Sequence, residues 1–266
     1  MKRIAEYQDL KGRVAFVTGG SRGVGKGIAE ELASSGATVY VSGRTVEKAP
    51  PTGCIALKCD HTNDEQVRGA AQQIIKEQHH IDLLVNNAWG GYERMVQEGV
   101  FTWSRPFWQQ PTWRWDAMFL AGVRAHYVAS SLVAQQMVQR RSGLIVNISF
   151  WAAQKHIANV AYGVSKAATD KLTSDCAYEL REHNVAVVSL YPGLVRTEKV
   201  MEAAAYLDMS NSESPRFIGR AVAALAGDPD IMRRSGTVVI AAQCALDYGF
   251  DDIDGRRPRP ISLHDL

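Results

Sequence analysis

Cysteine is scarce in this chain of 266 residues: there are four, with no Cys-x-x-Cys pair and no clustered Cys/His spacing. That argues against a disulfide framework and against a zinc site. Cys54 and Cys59 fall in one expected strand at an odd separation and so face opposite sides, while Cys176 and Cys244 stand alone. An excess of charge of either sign is also lacking. The net charge is +2, which gives no basis for a nucleic-acid surface. No apolar run reaches the roughly 18 residues that a spanning helix needs, so no transmembrane segment is expected. The stretch MKRIAEYQDLKGRVAFVTGG has a charged start but no apolar core or small-residue cleavage site, the run VAFV being too short. A soluble cytoplasmic protein is the expectation. There are no repeats, no low-complexity tracts and no interdomain linker.

What is present is an ordinary hydrophobic content of 46% arranged as strand, then helix, repeatedly. The length suits one large α/β domain, or at most two small ones, and without a linker we take residues 1–266 as one. Strand-like runs are expected at Val14–Val17, Thr38–Ser42, Cys54–Cys59, Ile81–Val85, Leu144–Ile148, Val185–Leu190 and Thr237–Ile240. Helical spacing covers Val24–Ser35, ending at Gly36 as a C′ residue. Thr62-Asn63-Asp64-Glu65 has capping-box spacing and opens a helix to about His79. An irregular stretch, Trp89 to about Pro111, precedes a long helix from about Thr112 to Arg141. Another helix carries Tyr162 and continues to about His183. Ser214-Pro215 starts a further helix, which Gly227 stops. Near-continuous Val/Ile/Leu strands alternating with helices point to a parallel sheet covered on both faces. Such sheets hold ligands beyond the carboxyl ends of their strands.

Thr18-Gly19-Gly20-Ser21-Arg22-Gly23-Val24-Gly25 lies between the first strand and the first helix. Glycines there permit a tight turn, close approach of a pyrophosphate and donation from the helix N-terminus. Dinucleotide binding is expected, against the plainer reading of a simple β-to-α turn. After the second strand, Val41-Ser42-Gly43-Arg44-Thr45 offers no carboxylate before Glu47. Arg44, with Arg22, suits a ribose 2′-phosphate better than a 2′-hydroxyl, so NADP(H) is preferred and NAD(H) is left open.

Tyr162 and Lys166 stand four apart at a helix start and share a face. A cation beside a phenol lowers a pKa that is normally about 10, as proton exchange with an alcohol or carbonyl requires. Ser149 ends the preceding apolar strand. With Thr18–Gly25, Asn86-Asn87-Ala88, Ser149, Tyr162-x-x-x-Lys166 and Pro192-Gly193 in order, nearly the whole chain resembles the short-chain dehydrogenase/reductase family. GLIV-NIS, HNVAVVSLYPGLVRTE and ALDYGFDDIDGRRPRP carry a narrower likeness to one branch of it.

The resemblance implies a single Rossmann-type doubly wound sheet and a hydride exchanged between nicotinamide and carbon. Tyr162 would donate the proton in reduction. Lys166 would hold the nicotinamide ribose and lower the Tyr162 pKa, and Ser149 would hydrogen-bond the substrate carbonyl. The glycine loop (Gly19, Ser21, Arg22, Gly23, Val24, Gly25) would bind cofactor. Asp60 would meet the adenine, Asn87 and Ala88 would sit near the adenosine ribose, and Pro192, Gly193, Val195 and Thr197 would line the nicotinamide. A homodimer or homotetramer paired through the two long helices is implied as well.

Two departures stand out. Many members carry an asparagine on the long central helix, holding a water in a proton relay to the lysine; here Gly122 stands at that place. Gly122 is expected to leave space that water fills. His126, one turn later, is an alternative relay group, a packed histidine being the plainer reading. Ser149-Phe150 replaces the Ser-Ser of many members.

Five of the six tryptophans, Trp89, Trp103, Trp108, Trp113 and Trp115, lie between positions 89 and 115, with Tyr92, Phe101 and Phe107 among them; Trp151 follows Ser149. Long loops at a ligand-binding end tend to be functional, and aromatics suit a bulky apolar carbonyl compound. Two or three of these rings are expected in the pocket and the rest in the insertion's own core or a subunit contact. Glu93, Arg94, Glu98 and Arg105 interrupt any simple membrane-binding face. The extension from about residue 243 to 266 is expected over the active site or a neighbouring subunit. The reading is an NADPH-dependent carbonyl reductase for a hydrophobic ketone or aldehyde, a steroid being suggested by the branch alone. The rival is a dinucleotide-binding redox sensor or scaffold with little catalysis, which the missing asparagine favours.

Overall fold

The computed structural model describes residues 9–92, 94–202 and 204–265; the start of the chain and Glu93 lie outside them. The strands among these residues are β1 (Val14–Thr18), β2 (Thr38–Gly43), β3 (Cys54–Lys58), β4 (Leu83–Asn86), β5 (Val96–Gln97), β6 (Val100–Phe101), β7 (Gly143–Ile148), β8 (Val185–Tyr191) and β9 (Val238–Ile240). Strands β5 and β6 pair only with each other, antiparallel. The other seven form one parallel sheet in the order β3-β2-β1-β4-β7-β8-β9. The order reverses between β1 and β4, so a crevice opens at their carboxyl ends, beside Thr18 and Asn86.

The helices are α1 (Gly23–Ser34), α2 (Asp64–Gln78), α3 (Thr112–Met118), α4 (Ala125–Arg140), α5 (Val160–Leu180), α6 (Glu198–Glu202), α7 (Pro215–Gly227) and α8 (Ala241–Tyr248). Alternate strand residues point to opposite faces and meet different helices. Val17, Val41, Val85, Val146 and Val188 pack under Ile28 and Leu32 of α1 and Phe217 and Val222 of α7. Phe16, Tyr40, Leu84, Ile145 and Val187 pack under Ile74 of α2, Val133 and Met137 of α4 and Ala177 of α5. Each of the Val, Leu, Ile, Phe and Met side chains contributes roughly 1.5–3 kcal/mol by leaving water. The doubly wound parallel sheet expected from the sequence is therefore present. The cysteines are free thiols, and Cys54 and Cys59 belong to the cores on opposite faces.

Several local expectations need correction. The cap of α2 is Asn63, whose side chain accepts from the N–H groups of Glu65 and Gln66. Thr62 instead gives its hydroxyl to Asp60 at 2.8 Å, so the cap lies one residue later than the spacing suggested, and Gln66 Oε1 accepts the Asp60 N–H rather than closing a capping box. The long helix is interrupted by a π-helical turn, Phe119–Arg124, between α3 and α4. Such turns widen the backbone spiral and recur at functional sites. The run Thr112–Arg140 is long and apolar enough to cross a membrane by composition. Part of that apolarity faces the core, with Ala129, Val133 and Met137 buried against the sheet, while Trp115, Leu120 and Tyr127 are exposed. The Trp89–Pro111 stretch is not wholly irregular, because it contains the β5–β6 hairpin and a 3-10 turn at Phe107–Gln109. α8 was not legible in the sequence. Ser214 caps α7 as expected, accepting from Phe217 N–H at 3.0 Å.

α1 and α7 cross at glycines. A Cβ on Gly27 would lie 2.5 Å from the Pro215 carbonyl oxygen, and one on Gly219 2.8 Å from the Gly27 oxygen. Backbone cannot rotate away as a side chain can. Gly27→Ala is expected to cost about 1–3 kcal/mol, net of alanine's better helix propensity. Urea unfolding should show this as a lower midpoint with an unchanged slope.

Candidate active site

The glycine turn is pinned to the end of β4. Thr18 Oγ accepts the N–H groups of Asn87 (3.0 Å) and Ala88 (3.1 Å), while Asn87 Nδ2 donates to the carbonyls of Thr18 (3.2 Å) and Gly19 (2.9 Å). Gly19 has φ +69°, and a Cβ there would lie 2.6 Å from Ala88 Cα. Only glycine suits both that conformation and that approach. Gly23 N–H points at the Glu198 carboxylate, with oxygens at 3.1 and 3.4 Å. A carboxylate thus stands where this loop would take an anionic phosphate, as the dipole at the start of α1 favours. The residues fit a dinucleotide. Arg22 and Arg44 are both exposed at this rim, and Asp60 accepts Thr62 N–H at 3.0 Å. These bonds hold the Asp60 carboxyl below its ordinary value.

At the other end of the crevice, Gly193 N–H donates to Glu213 at 2.8 Å. Burial pushes the Glu213 carboxyl up to about 7. Val195 bridges the Glu213 backbone, and Thr197 Oγ accepts Val200 N–H at the start of α6. The C-terminal tail reaches this segment. Asp252 takes the Ser214 N–H and hydroxyl and pairs with Arg196 at 2.8 Å. Asn211 exchanges two hydrogen bonds with Arg259, so the extension braces the 194–214 segment.

Tyr162 and Lys166 lie in the first two turns of α5, whose cap, Asn159, accepts Tyr162 N–H at 2.9 Å. Both are nearly buried. Lys166 Nζ donates to the Ile148 carbonyl at 3.2 Å and lies 3.7 Å from the centre of the Trp89 ring. Burial lowers the Lys166 ammonium to about 7. Tyr162 hydrogen-bonds the Tyr92 hydroxyl at 3.1 Å. Here the expectation of a depressed phenol is overturned: burial first, then Tyr92, raise Tyr162 well above its ordinary value. The cation lies 5.8 Å from the Tyr162 ring centre, too weak a neighbour to offset the loss of water. Ser149 is buried at the end of β7 and gives its hydroxyl to the Lys166 carbonyl at 3.4 Å.

The space expected beside Gly122 is filled. A Cβ on Gly122 would lie 2.6 Å from the Trp89 ring, so the indole occupies the notch where water was anticipated. His126 is buried too, with Nε2 3.0 Å from the Ala88 carbonyl and Nδ1 without a partner. Burial drops it to about 3, so it is neutral, and its bond is to the Asn-Asn-Ala turn.

The aromatic stretch divides into rings that pack on Tyr162 and rings that lie away from it. Trp89, Tyr92, Trp103 and Phe150 surround the Tyr162 ring at centroid distances of 5.5–6.1 Å. Trp113 lies against Arg114 and Arg94, Trp115 stacks on Phe119, and Trp108 is exposed beside Phe107. Trp151 packs on Tyr191. Sequence reasoning passed over Glu198, Glu213, Asp252 and the Tyr92 hydroxyl. Their roles depend on contacts across many residues, and no local motif signals them.

A family model described as short chain dehydrogenase matches residues 13–207. The chain is 42% identical to dehydrogenase/reductase SDR family member 1 of Mus musculus over 93% of this chain and 85% of the relative. A metagenomic short-chain oxidoreductase in complex with NADP superposes with a TM-score of 0.70 at 29% identity, over 87% of this chain and 97% of the other. 7α-Hydroxysteroid dehydrogenase complexed with NADH and 7-oxo glycochenodeoxycholic acid gives 0.75 at 26% identity, over 90% and 96%.

Proposed function

The chain belongs to the short-chain dehydrogenase family, NAD(P)-dependent oxidoreductases acting on CH–OH and C=O groups, and on that premise we propose that it is an NADPH-dependent carbonyl reductase for a hydrophobic ketone or aldehyde. The observation that carries this reading is the Tyr162 hydroxyl set among Trp89, Tyr92, Trp103 and Phe150, on the same helix face as Lys166. A largely aromatic wall around a buried hydroxyl donor is what a bulky carbonyl compound needs.

Gly19, Ser21, Gly23, Val24 and Gly25 would hold the pyrophosphate end of the cofactor, Arg22 and Arg44 a 2′-phosphate, and Asp60 the adenine. Asn87 and Ala88 would border the adenosine ribose, and Pro192, Gly193, Val195 and Thr197 the nicotinamide. When bound, the cofactor supplies the hydride. Tyr162 gives its proton to the carbonyl oxygen, and its raised pKa keeps the phenol protonated at neutral pH, the form reduction requires. Ser149 turns its hydroxyl from the Lys166 carbonyl to the substrate oxygen. Lys166 holds the ribose and keeps positive charge near the developing alkoxide.

The preference for NADPH is supported by exposed Arg22 and Arg44 and by the lack of a carboxylate before Glu47. The wide aromatic wall and the 7-oxo bile-acid complex of one structural neighbour support a ring-system ketone, a steroid or similar compound. Exposed Tyr127 on α4 and Val164 and Tyr178 on α5 support pairing of two or four copies through these helices. A cytoplasmic location completes the reading.

The test is NADPH and NADH oxidation against carbonyls from small aldehydes to steroid ketones. Turnover of the bulkier ketones is expected, with kcat/KM at least about tenfold higher with NADPH, as two guanidinium–phosphate contacts would give. Tight NADPH binding with no turnover across the panel would replace this reading with the redox-sensor or scaffold one.

A further inference from the structure

Trp89 follows directly on the Asn86-Asn87-Ala88 turn, whose backbone is held from both sides. Thr18 Oγ takes the Asn87 and Ala88 N–H groups, and the His126 imidazole meets the Ala88 carbonyl at 3.0 Å. The side chain at position 89 therefore has little freedom in where it starts. It enters the notch that Gly122 leaves in the π-helical turn, where even a methyl group would lie 2.6 Å from the ring. On its other side the indole meets Lys166, whose Nζ is 3.7 Å from the ring centre.

Among the described residues, that ammonium, with three N–H donors, makes one hydrogen bond, to the Ile148 carbonyl at 3.2 Å. A buried cation gains from nearby negative potential, and the indole face 3.7 Å away supplies it. The titratable groups facing the ammonium among the described residues come from three elements. Tyr162 and Asp170 lie on its own helix, His126 comes from α4, and Tyr92 bonds Tyr162 from the loop after β4. Among these Asp170 is the one carboxylate, and its oxygens are engaged by Ser189 and Tyr191.

We infer that Trp89 is a positioning residue for Lys166: its indole, seated in the Gly122 notch, holds the ammonium at the Tyr162 site by a cation–π contact. Glycine at 122 and tryptophan at 89 are thus one device, since any larger residue at 122 would push the ring off the cation. The contact favours the charged lysine, and the charge is lost as pH rises through the lysine's folded pKa. Removing the ring moves that loss to lower pH.

This inference rests on the reading of Lys166 as part of the proton-transfer site, but its test does not use turnover. Protein labelled with ¹³C at lysine Cε is titrated without cofactor, and the Lys166 signal is assigned by its loss in Lys166→Met. In the native chain the midpoint should lie near 7. Trp89→Leu should lower it by about one unit, a tenfold change in the protonation equilibrium, while Trp89→Phe should stay within about 0.3 unit. Should the leucine variant fold poorly, Trp89→Leu/Gly122→Ala fills the notch with aliphatic atoms and should titrate like Trp89→Leu. Gly122→Ala alone, which displaces the ring but keeps it, should also lower the midpoint. Where substrate turnover is measurable, the alkaline limb of the kcat/KM profile should move in the same direction. Equal midpoints in the native, leucine and double-variant proteins would overturn the inference and leave Trp89 a packing residue. A chain that turns over no carbonyl yet shows the shift would keep the Trp89–Lys166 contact and sink only the reductase reading.

Discussion

Tyr162→Phe is expected to lower kcat by about 10²- to 10⁴-fold, the range that a positioned general acid contributes. NADPH affinity should change by no more than about twofold, because a hydroxyl whose partner is the half-exposed Tyr92 is worth little to binding. The phenol is singled out by its surroundings. It is buried in a cluster with Trp103, Met118, Ala152 and Ala161, its backbone is fixed by the Asn159 cap, and among the described residues its hydroxyl bonds Tyr92. Phenylalanine keeps that packing and removes one oxygen, so the fold should persist. The sign of the pH dependence follows from the same surroundings. Burial and Tyr92 hold the phenol protonated well beyond neutrality, so reduction is limited on the alkaline side by Lys166, which loses its charge near 7. Reduction should therefore weaken as pH rises through that value, and the residual activity of Tyr162→Phe should keep that limb, since Lys166 remains. Retention of more than about a tenth of native kcat would remove Tyr162 from the chemistry.

Arg114→Met should destabilise the chain by about 2–4 kcal/mol and raise KM for a bulky ketone by about an order of magnitude. Arg114 is fully buried, and no carboxylate among the described residues pairs with it. Instead its guanidinium donates to the Thr102 carbonyl (2.9 Å), the Thr102 hydroxyl (2.8 Å), the Arg94 carbonyl (3.0 Å) and Gln110. Trp103 and Trp113 flank it at 5.6 and 5.1 Å. Methionine fills the volume but leaves buried acceptors unpaired, at roughly 1–3 kcal/mol each. Against this, burying an arginine without a counter-ion is itself costly, and its removal returns part of the loss. The net is set by how many acceptors can find water. Trp103 stands 5.5 Å from the Tyr162 ring, and its carbonyl accepts from Asn159 Nδ2 at 2.9 Å. Loosening the insertion should therefore show first in KM, then in thermal stability. Arg114→Lys should not rescue it, since a point charge cannot serve four acceptors in a fork. An Arg114→Met variant with native stability and native KM would mean that the hairpin and its rings hold themselves.

Much of this architecture was legible in the residues. Val14–Val17 and Val185–Leu190 are apolar on both sides, and only a sheet covered on both faces uses such runs. Ser214 before Pro215 wrote a helix start that tertiary context had no reason to change. The glycine turn, the Asn-Asn-Ala turn, Ser149, Tyr162 and Lys166 could be placed at strand ends in advance, because parallel connectivity puts every β-to-α turn on one edge. Where local patterns failed, the deciding partner was distant or competed for the same atom. Asn63, not Thr62, takes the cap, while the Thr62 N–H and hydroxyl both turn back to Asp60.

The sequence by itself determined the doubly wound sheet, the place of the cofactor turn, and the tyrosine and lysine on one helix face, since these follow from periodicity and short spacings. Tertiary structure decided the electrostatics. Whether Lys166 lowers the Tyr162 pKa depends on burial and on Tyr92, and that balance went against the spacing. What stands beside Gly122 was decided by Trp89, far earlier in the chain, because a glycine in sequence is a gap whose occupant only packing can name.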